Sequence, residues 1–526
     1  MATRLQLDNN DPEEEVQQPP SDRIFYMAIL AGVSVFVVIT YPYREVRIPT
    51  GILATIAFLA VCGLMLASYL RPQYYWSSIA FCVYIPFSGE YPGDFGNILK
   101  GFNFTNILIL PVILQWAMQR SYMKERLLRF NAPDLPLLLF CFFSSISVLR
   151  VGIEAGGVPF ADQFVRLKRW LFPFLLYFLF VNTKRNERGV KHLIITICVA
   201  LTAIAILTMK ESYDIGPRGT WDRIRVRGVL GSPNGTGAFF VYYTLLFLGF
   251  FLCYWRQNRY AWLLLIPFFL CGRAMTLANS RGGLIAFTLA ILATILIRSR
   301  ALFAVALVTV LLGLQYPQYL PETISGRLLS TVRPKAPDET PWVSEEDKRD
   351  SVLERLDVSS QGRRQIWGAG VRMVKGNPWF GYGYGEFPKQ VGYFGQDGEY
   401  DLIVSGRDPH NSYLGIAAEM GVIALSFFVA TLILILRSCL HVYRHGADLF
   451  MRSVGLAGVG MMLGVMSANF FGSRLDTTEL TAYLWILSAI IVQYDRELRL
   501  KERVEASQRN AIVVDPWRTS EAEEIL

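Results

Sequence analysis

Of the four histidines, His192, His410, His441 and His445, one sits in a setting suited to proton transfer. His410 lies in Asp408-Pro409-His410-Asn411-Ser412-Tyr413-Leu414, where the proline ends a loop and the histidine meets the start of an apolar run. A helix starting there adds local positive potential, which favours the neutral imidazole able to accept a proton. A lone histidine at a helix start is by default a cap or an interfacial residue. The charged residues that accompany it shift that balance.

Those residues are arginines. Arg218, Arg223, Arg225 and Arg227 crowd one connecting segment, and Arg281 stands between two apolar runs in Asn279-Ser280-Arg281-Gly282-Gly283. Arg150, Arg166, Lys168 and Arg169 bracket another short connection. The guanidinium stays charged and its fork matches paired oxygens, so such a cluster suits a dianionic or bidentate oxygen ligand, a diphosphate above all. For any one of them, a side chain snorkelling to lipid headgroups is the plainer reading. Arg273 precedes Arg281 by about two helical turns, and Glu419 lies about 10 Å along its helix from the His410 end at the usual rise. At such depth ionisable groups face a bundle interior or a wet cavity, as a structural pair or as part of a site.

The elements that must position these groups are membrane helices. The chain has 526 residues, 52% of them hydrophobic, and apolar runs recur along most of it. Each run of about 17 to 25 residues is long enough to cross a hydrocarbon core about 30 Å thick. The expected fold is an all-α polytopic membrane protein with about fourteen spans. The early spans are Ile24 to Tyr41, Thr50 to Leu70, Gln73 to Phe87, Phe104 to Gln119, Leu135 to Val151 and Arg169 to Val181. The next are Val190 to Met209, Gly235 to Trp255, Tyr260 to Ala278, Arg281 to Ile297 and Arg300 to Leu314, and the last Ser412 to Leu436, Phe450 to Phe470 and Thr478 to Tyr494. Residues 1–22 form a polar, disordered cytoplasmic tail without signal-peptide character, 23–315 the first eleven spans, 316–411 a long loop, 412–495 the last three spans and 496–526 a second cytoplasmic tail.

Lys and Arg fall mainly in alternate connections, among them Arg120 to Arg129, Lys184 to Lys191, Arg256 with Arg259, Arg437 to Arg452, and Arg496 to Arg503. Those connections are therefore cytoplasmic, both termini are inside, and His410 alone of the histidines faces outward. The arginines of the site candidates run against this rule, so something other than topology holds them there. The same bias accounts for most of the net charge of +8, which removes the case for nucleic acid. Seven cysteines, none in CxxC spacing, indicate neither a disulfide framework nor a zinc site. Within the long loop, Pro321 to Gln361 reads as irregular, whereas Ile366, Trp367, Val371 and Val374 among Arg363, Arg364, Arg372 and Lys375 suit an amphipathic helix on the membrane surface.

Five stretches taken in order resemble the O-antigen ligase family, which includes related O-antigen polymerases. They are Arg227-Gly228-Val229-Leu230-Gly231-Ser232-Pro233-Asn234, Ser280-Arg281-Gly282, Arg364-Gln365-Ile366-Trp367, Pro378-Trp379-Phe380-Gly381-Tyr382-Gly383, and His410-Asn411-Ser412-Tyr413-Leu414 with Glu419-Met420-Gly421. The likeness covers roughly the second half of the chain. It implies a bacterial inner-membrane enzyme that takes a glycan from undecaprenyl diphosphate at the periplasmic face and moves it en bloc to an acceptor hydroxyl, without metal, nucleotide or other cofactor. By the same resemblance Arg227 and Arg281 hold the diphosphate, with Arg225 the alternative to Arg227, and His410 serves the acceptor. Arg273, Glu419, Asn411 and Arg364 are secondary candidates. Partners would be the lipid-linked donor, a glycan, lipid or protein acceptor, and membrane lipids. A lipid-linked oligosaccharide flippase is the rival reading, and a non-catalytic scaffold a weaker one.

Overall fold

A backbone that cannot reach water must satisfy its own N–H and C=O groups, and in the computed structural model the runs of Leu, Ile, Val and Phe accordingly form helices, with no strand among the described residues. The structure describes residues 50–88, 104–124, 126, 128–155, 157–183, 187–216, 225–320, 325, 358–395, 400–472, 474, 475 and 477–514. The chain divides into two units, Met1–Ile56 and Ala57–Leu526, and of the first only the helical residues 50–56 are described.

In chain order the helices are α1 (Thr50–Leu70), α2 (Trp76–Tyr84), α3 (Phe104–Tyr122), α4 (Asp134–Ala155), α5 (Gly157–Asn182) and α6 (Glu187–Ile215). α7 (Pro233–Tyr243) and α8 (Leu245–Tyr254) run end to end, followed by α9 (Leu265–Leu277), α10 (Arg281–Arg298) and α11 (Arg300–Gln315). Beyond the long loop's first half come α12 (Val358–Gly376), the short α13 (Phe387–Gln390), α14 (Ser412–His445), α15 (Leu449–Ala468) and α16 (Thr478–Val514). Among the described residues 7 helices are long and apolar enough to cross a membrane, with shorter apolar helices at Leu59–Leu70, Trp76–Phe87 and Arg300–Gln315. Every expected span coincides with helix except the first, Ile24 to Tyr41, which lies outside the described residues, as does the tail 1–22.

The interior is built around α15. Its apolar window is 72% buried and that of Pro233–Tyr254 is 89% buried, against 22% for Arg259–Leu277 at the periphery. Between helices that lipid could solvate equally well, close approach of backbones supplies the attraction, and small residues permit it. Gly458 of α15 meets Cys439 of α14, Gly460 meets Leu245 of α8 and Thr294 of α10, and Gly464 meets the Val241 carbonyl of α7. From the other side, Gly249 of α8 packs directly on the Ala457 backbone.

The two ends of the bundle differ in how their charges are used. At the end away from the long loop, basic and amide side chains are absorbed into structure. Arg120 Nε donates to the Asn182 carbonyl at 2.6 Å, Gln493 Nε2 donates to the Thr183 carbonyl at 2.9 Å, and Arg496 Nη1 reaches Asn131 Oδ1 at 3.3 Å. The boundary expected at Arg496 falls inside one continuous helix, α16.

At the loop end, α14 is broken at Gly421, whose φ of 88° lies in the left-handed region that favours glycine. The break exposes helical N–H and C=O groups, and the segment Pro378 to Gly383 closes on them. Tyr382 N donates to Ala418 O at 2.9 Å, Gly383 N to Glu419 O at 2.8 Å, and Val422 N to Pro378 O at 2.8 Å. Arg150 Nη2 and Asn377 Nδ2 both reach the Gly381 carbonyl, at 2.7 Å and 2.8 Å, which ties α4 to the same turn. The stripe Ile366, Ala369 and Met373 of α12 is buried against Phe387, Val391 and Val404 of the loop and Ala418 of α14, while Val371 of the same helix is exposed. α12 also starts at Val358, earlier than the sequence suggested. The irregular stretch expected from Pro321 lies outside the described residues, apart from Ser325 and residues 358–361.

Candidate active site

His410 is held from both sides by bonds that do not involve its ring. Before it, Trp367 Nε1 of α12 donates to the Pro409 carbonyl at 3.0 Å, and Gly415 lets the Pro409 ring sit against α14. After it, Asn411 caps α14, its Oδ1 accepting from Tyr413 N at 3.0 Å and Leu414 N at 3.1 Å. Ser412 Oγ bonds Asn469 Oδ1 at 2.8 Å and the Gly472 carbonyl at 2.9 Å, which anchors the helix start to the connection after α15. His410 itself takes a φ of 48°, an uncommon conformation for a non-glycine residue and one the surrounding bonds must enforce.

Asp408 then sets the ring. Its Oδ2 accepts from the His410 main-chain N–H at 3.1 Å and lies 3.3 Å from Nδ1. With Nδ1–H directed at that carboxylate, Nε2 carries the lone pair. Burial holds the imidazole below its ordinary value; Asp408 opposes this, and Arg363, Arg474 and Arg407 add to the lowering. The outcome is a histidine that stays neutral in a cationic setting, able to take a proton rather than arriving with one.

Arg474 lies in the connection between α15 and α16. Its Nη1 donates to the Asn234 main-chain carbonyl and its N–H reaches Ser412 Oγ at 3.3 Å. The side-chain Oδ1 of the same Asn234 accepts from Arg225 Nη2 at 2.6 Å. Arg225 Nε in turn donates to the Ala278 carbonyl at 3.2 Å, and Val226 N reaches the Leu277 carbonyl at 3.4 Å. That turn carries Asn279 at φ 52°, and Ser280 caps α10 through Gly283 N at 3.3 Å, so that Arg281 becomes the first residue of the helix. Gly282 packs on Phe471, which closes the circuit to the Arg474 connection. One continuous set of bonds thus runs from the His410 helix start through Arg474 and Asn234 to Arg225 and the turn of Arg281.

Arg227 stands beside this circuit with its side chain exposed. Its backbone is fixed by Glu211, whose Oε1 accepts from Arg227 N at 3.2 Å and whose Oε2 accepts from Gly228 N at 2.8 Å, while Thr236 Oγ1 donates to the Arg227 carbonyl. Arg225 and Arg227 therefore differ in kind. The first is half-buried and bonded into the scaffold, whereas the second is presented outward on a braced turn. Arg218 and Arg223 lie outside the described residues.

The secondary candidates divide as well. Arg273 sits on the exposed face of α9 with Ile266 and Phe269, and its Nη1 lies 3.5 Å from Thr276 Oγ1. Glu419 accepts from Phe387 N at 3.0 Å, an acceptor that holds the folded loop against the α14 break. Asn411 is the cap described above. Arg364 is exposed, whereas its neighbour Arg363 acts electrostatically on both His410 and Arg474. Arg363 shares a helix face with Trp367, one turn on, and Trp367 is bonded to the residue before His410, so Arg363 faces the ring. Arg474, Arg363 and Asn234 are the residues that sequence reasoning passed over. A signal for Arg474 was available, since it is a basic residue in a connection on the same side as His410.

Fold and site together define an all-helical membrane protein with a neutral histidine and an arginine cluster at the end that carries its long loop. Residues 266–429 match the family model described as O-antigen ligase. The chain is similar to the O-antigen ligase of Pseudomonas aeruginosa, with 25% identity over 420 residues, 78% of this chain and 88% of that protein. The matched domain contains Arg281, Arg363, Arg364, Asp408, His410 and Glu419; Arg225, Arg227, Asn234 and Arg474 lie outside it.

Proposed function

We propose that this protein is a glycan transferase that moves an oligo- or polysaccharide en bloc from undecaprenyl diphosphate to an acceptor hydroxyl, in surface polysaccharide biosynthesis. It acts at the periplasmic face of the bacterial inner membrane, with both termini in the cytoplasm. The observation that carries the reading is His410, its Nδ1 beside Asp408 and its ring among Arg363, Arg407 and Arg474. The family domain and the Pseudomonas aeruginosa relative support the same class of reaction.

In this scheme the acceptor hydroxyl gives its proton to His410 Nε2 as its oxygen attacks the anomeric carbon. Asp408 stabilises the imidazolium that forms. General-base action of this kind contributes about 10²- to 10⁴-fold. The bond to the diphosphate breaks as the new glycosidic bond forms, and the leaving oxygens gather charge. Arg281, at the first turn of α10, and Arg227, exposed on its braced turn, hold that charge where it develops. Attack from the face opposite the diphosphate inverts the anomeric centre. Because guanidinium groups supply the countercharge, the departing diphosphate needs no metal or other cofactor.

The test is transfer by purified protein in liposomes carrying a lipid-linked donor on the His410 side only. Wild type is expected to form product, and the H410A and R281A proteins, inserted normally, to lose it. Transfer at wild-type rates by those variants overturns the scheme, and movement of the donor across the bilayer without transfer supports a flippase instead.

A further inference from the structure

At the end of α14 away from His410, two histidines one helical turn apart meet a carboxylate from α16. His441 and His445 have ring centroids 4.5 Å apart, and His441 Nε2 lies 3.4 Å from Glu502 Oε2. One ligand atom from each of His441, His445 and Glu502 lies within 4.8 Å of the others.

The tautomers are prepared for coordination. His441 Nδ1 is 2.6 Å from Asp495 Oδ1, and Asp495 is itself held by Ser438 Oγ at 2.8 Å and by Arg499 Nε at 3.0 Å. His445 Nδ1 lies 3.2 Å from the His441 carbonyl. In the tautomer that lets each oxygen neighbour accept a hydrogen bond from Nδ1–H, the Nε2 lone pair is left free to bind. A carboxylate behind a ligating histidine is the outer-shell arrangement that raises ligand basicity and fixes ring orientation. The spacing of one pair agrees too. Two ligands at about 2.0–2.1 Å from a tetrahedral zinc ion are separated by about 3.3 Å, close to the His441–Glu502 distance. Two imidazoles and one carboxylate suit a borderline first-row ion better than calcium or magnesium, which prefer oxygen throughout.

We propose that His441, His445 and Glu502 bind one divalent first-row transition-metal ion, zinc by preference, with Asp495 as the outer-shell partner of His441. The ion clips the end of α14 to the extension of α16 and leaves a fourth position to water. The cysteine spacing that indicates no zinc site does not bear on these residues, none of which is a cysteine.

Cobalt(II) titrated into the tag-free, full-length protein in detergent micelles reads this directly, through visible ligand-field absorption and competition by zinc. One equivalent is expected to saturate the wild-type protein. E502Q and H445A are each expected to weaken binding at least tenfold, D495N by about 10- to 100-fold, and H192A to leave it unchanged. Zinc is also expected to raise the unfolding midpoint of wild type but not of E502Q, which keeps nearly the shape of the native side chain and so guards against misfolding as the explanation. Absence of a saturable single equivalent, or binding that survives both E502Q and H445A undiminished, overturns the proposal.

Discussion

Arg474 donates from Nη1 to the main-chain carbonyl of Asn234, a residue 240 positions earlier whose side chain accepts from Arg225. Two guanidinium groups from distant connections are thus joined through one asparagine in the first turn of α7, and the Arg474 main-chain N–H ties the pair to Ser412 at the helix start that follows His410. Removing Arg474 would free the Asn234 carbonyl and take a positive charge from the ring's surroundings. We expect R474A to lower transfer at least tenfold while the protein still inserts, and R474K, which keeps the charge but loses the fork, to recover part of it. Initial rates in liposomes at matched protein content measure both.

The pH dependence of transfer should report His410. Because its folded value lies below the ordinary one, the base stays competent as pH falls past the usual imidazole range, and activity drops only as pH passes through the lowered value. Replacing Arg363 with glutamine removes a neighbouring positive charge, so the acid limb of the profile should move to higher pH. D408N should move it to lower pH, since Asp408 raises the imidazole, and should also reduce the maximum rate through loss of ring orientation. Profiles of kcat/KM for the three proteins decide the matter.

Arg225 and Arg227 should fail differently. R227A removes an exposed side chain from a turn whose backbone is braced by Glu211, so weaker donor binding with an unchanged unfolding midpoint is expected. R225A breaks the bonds to Asn234 and Ala278 and should lower both activity and stability, the latter by about 1–3 kcal/mol because buried acceptors lose their partners. Donor titration and thermal unfolding of the two variants separate these outcomes.

Glu419 is an acceptor for a backbone N–H in this structure, a role that glutamine can also fill. E419Q should therefore retain near wild-type transfer, and E419A should be destabilised. Loss of transfer in a stable E419Q protein would show that its charge is required.

At Gly421 a Cβ would overlap the Trp379 carbonyl, and the φ of 88° is itself unfavourable for any other residue. G421A should destabilise the fold by at least about 1–3 kcal/mol, the usual cost of such backbone strain, and should loosen the 378–383 turn. Unfolding midpoint and protease sensitivity of that turn check this.

The sequence by itself determined the helices, since a long apolar run has only one way to satisfy its backbone in lipid. It also determined the placement of His410 at a helix start after Pro409, the excess of arginine near it, and the family motifs in order. These signals are local, each carried by neighbouring residues or by one helical period. Tertiary structure alone decided which side chains meet. It chose Arg363 over Arg364 by helix face, put Arg225 into a clasp while leaving Arg227 outward, and made Glu419 and the 378–383 turn the seal of a broken helix. It also brought Arg474 to Asn234, and His441 to Asp495 and Glu502, across sequence separations that no pattern records. The physical reason is that side-chain direction at a contact depends on how two helices rotate and slide against each other. That choice is settled by packing at glycines such as Gly458 and Gly464, not by the composition of either helix.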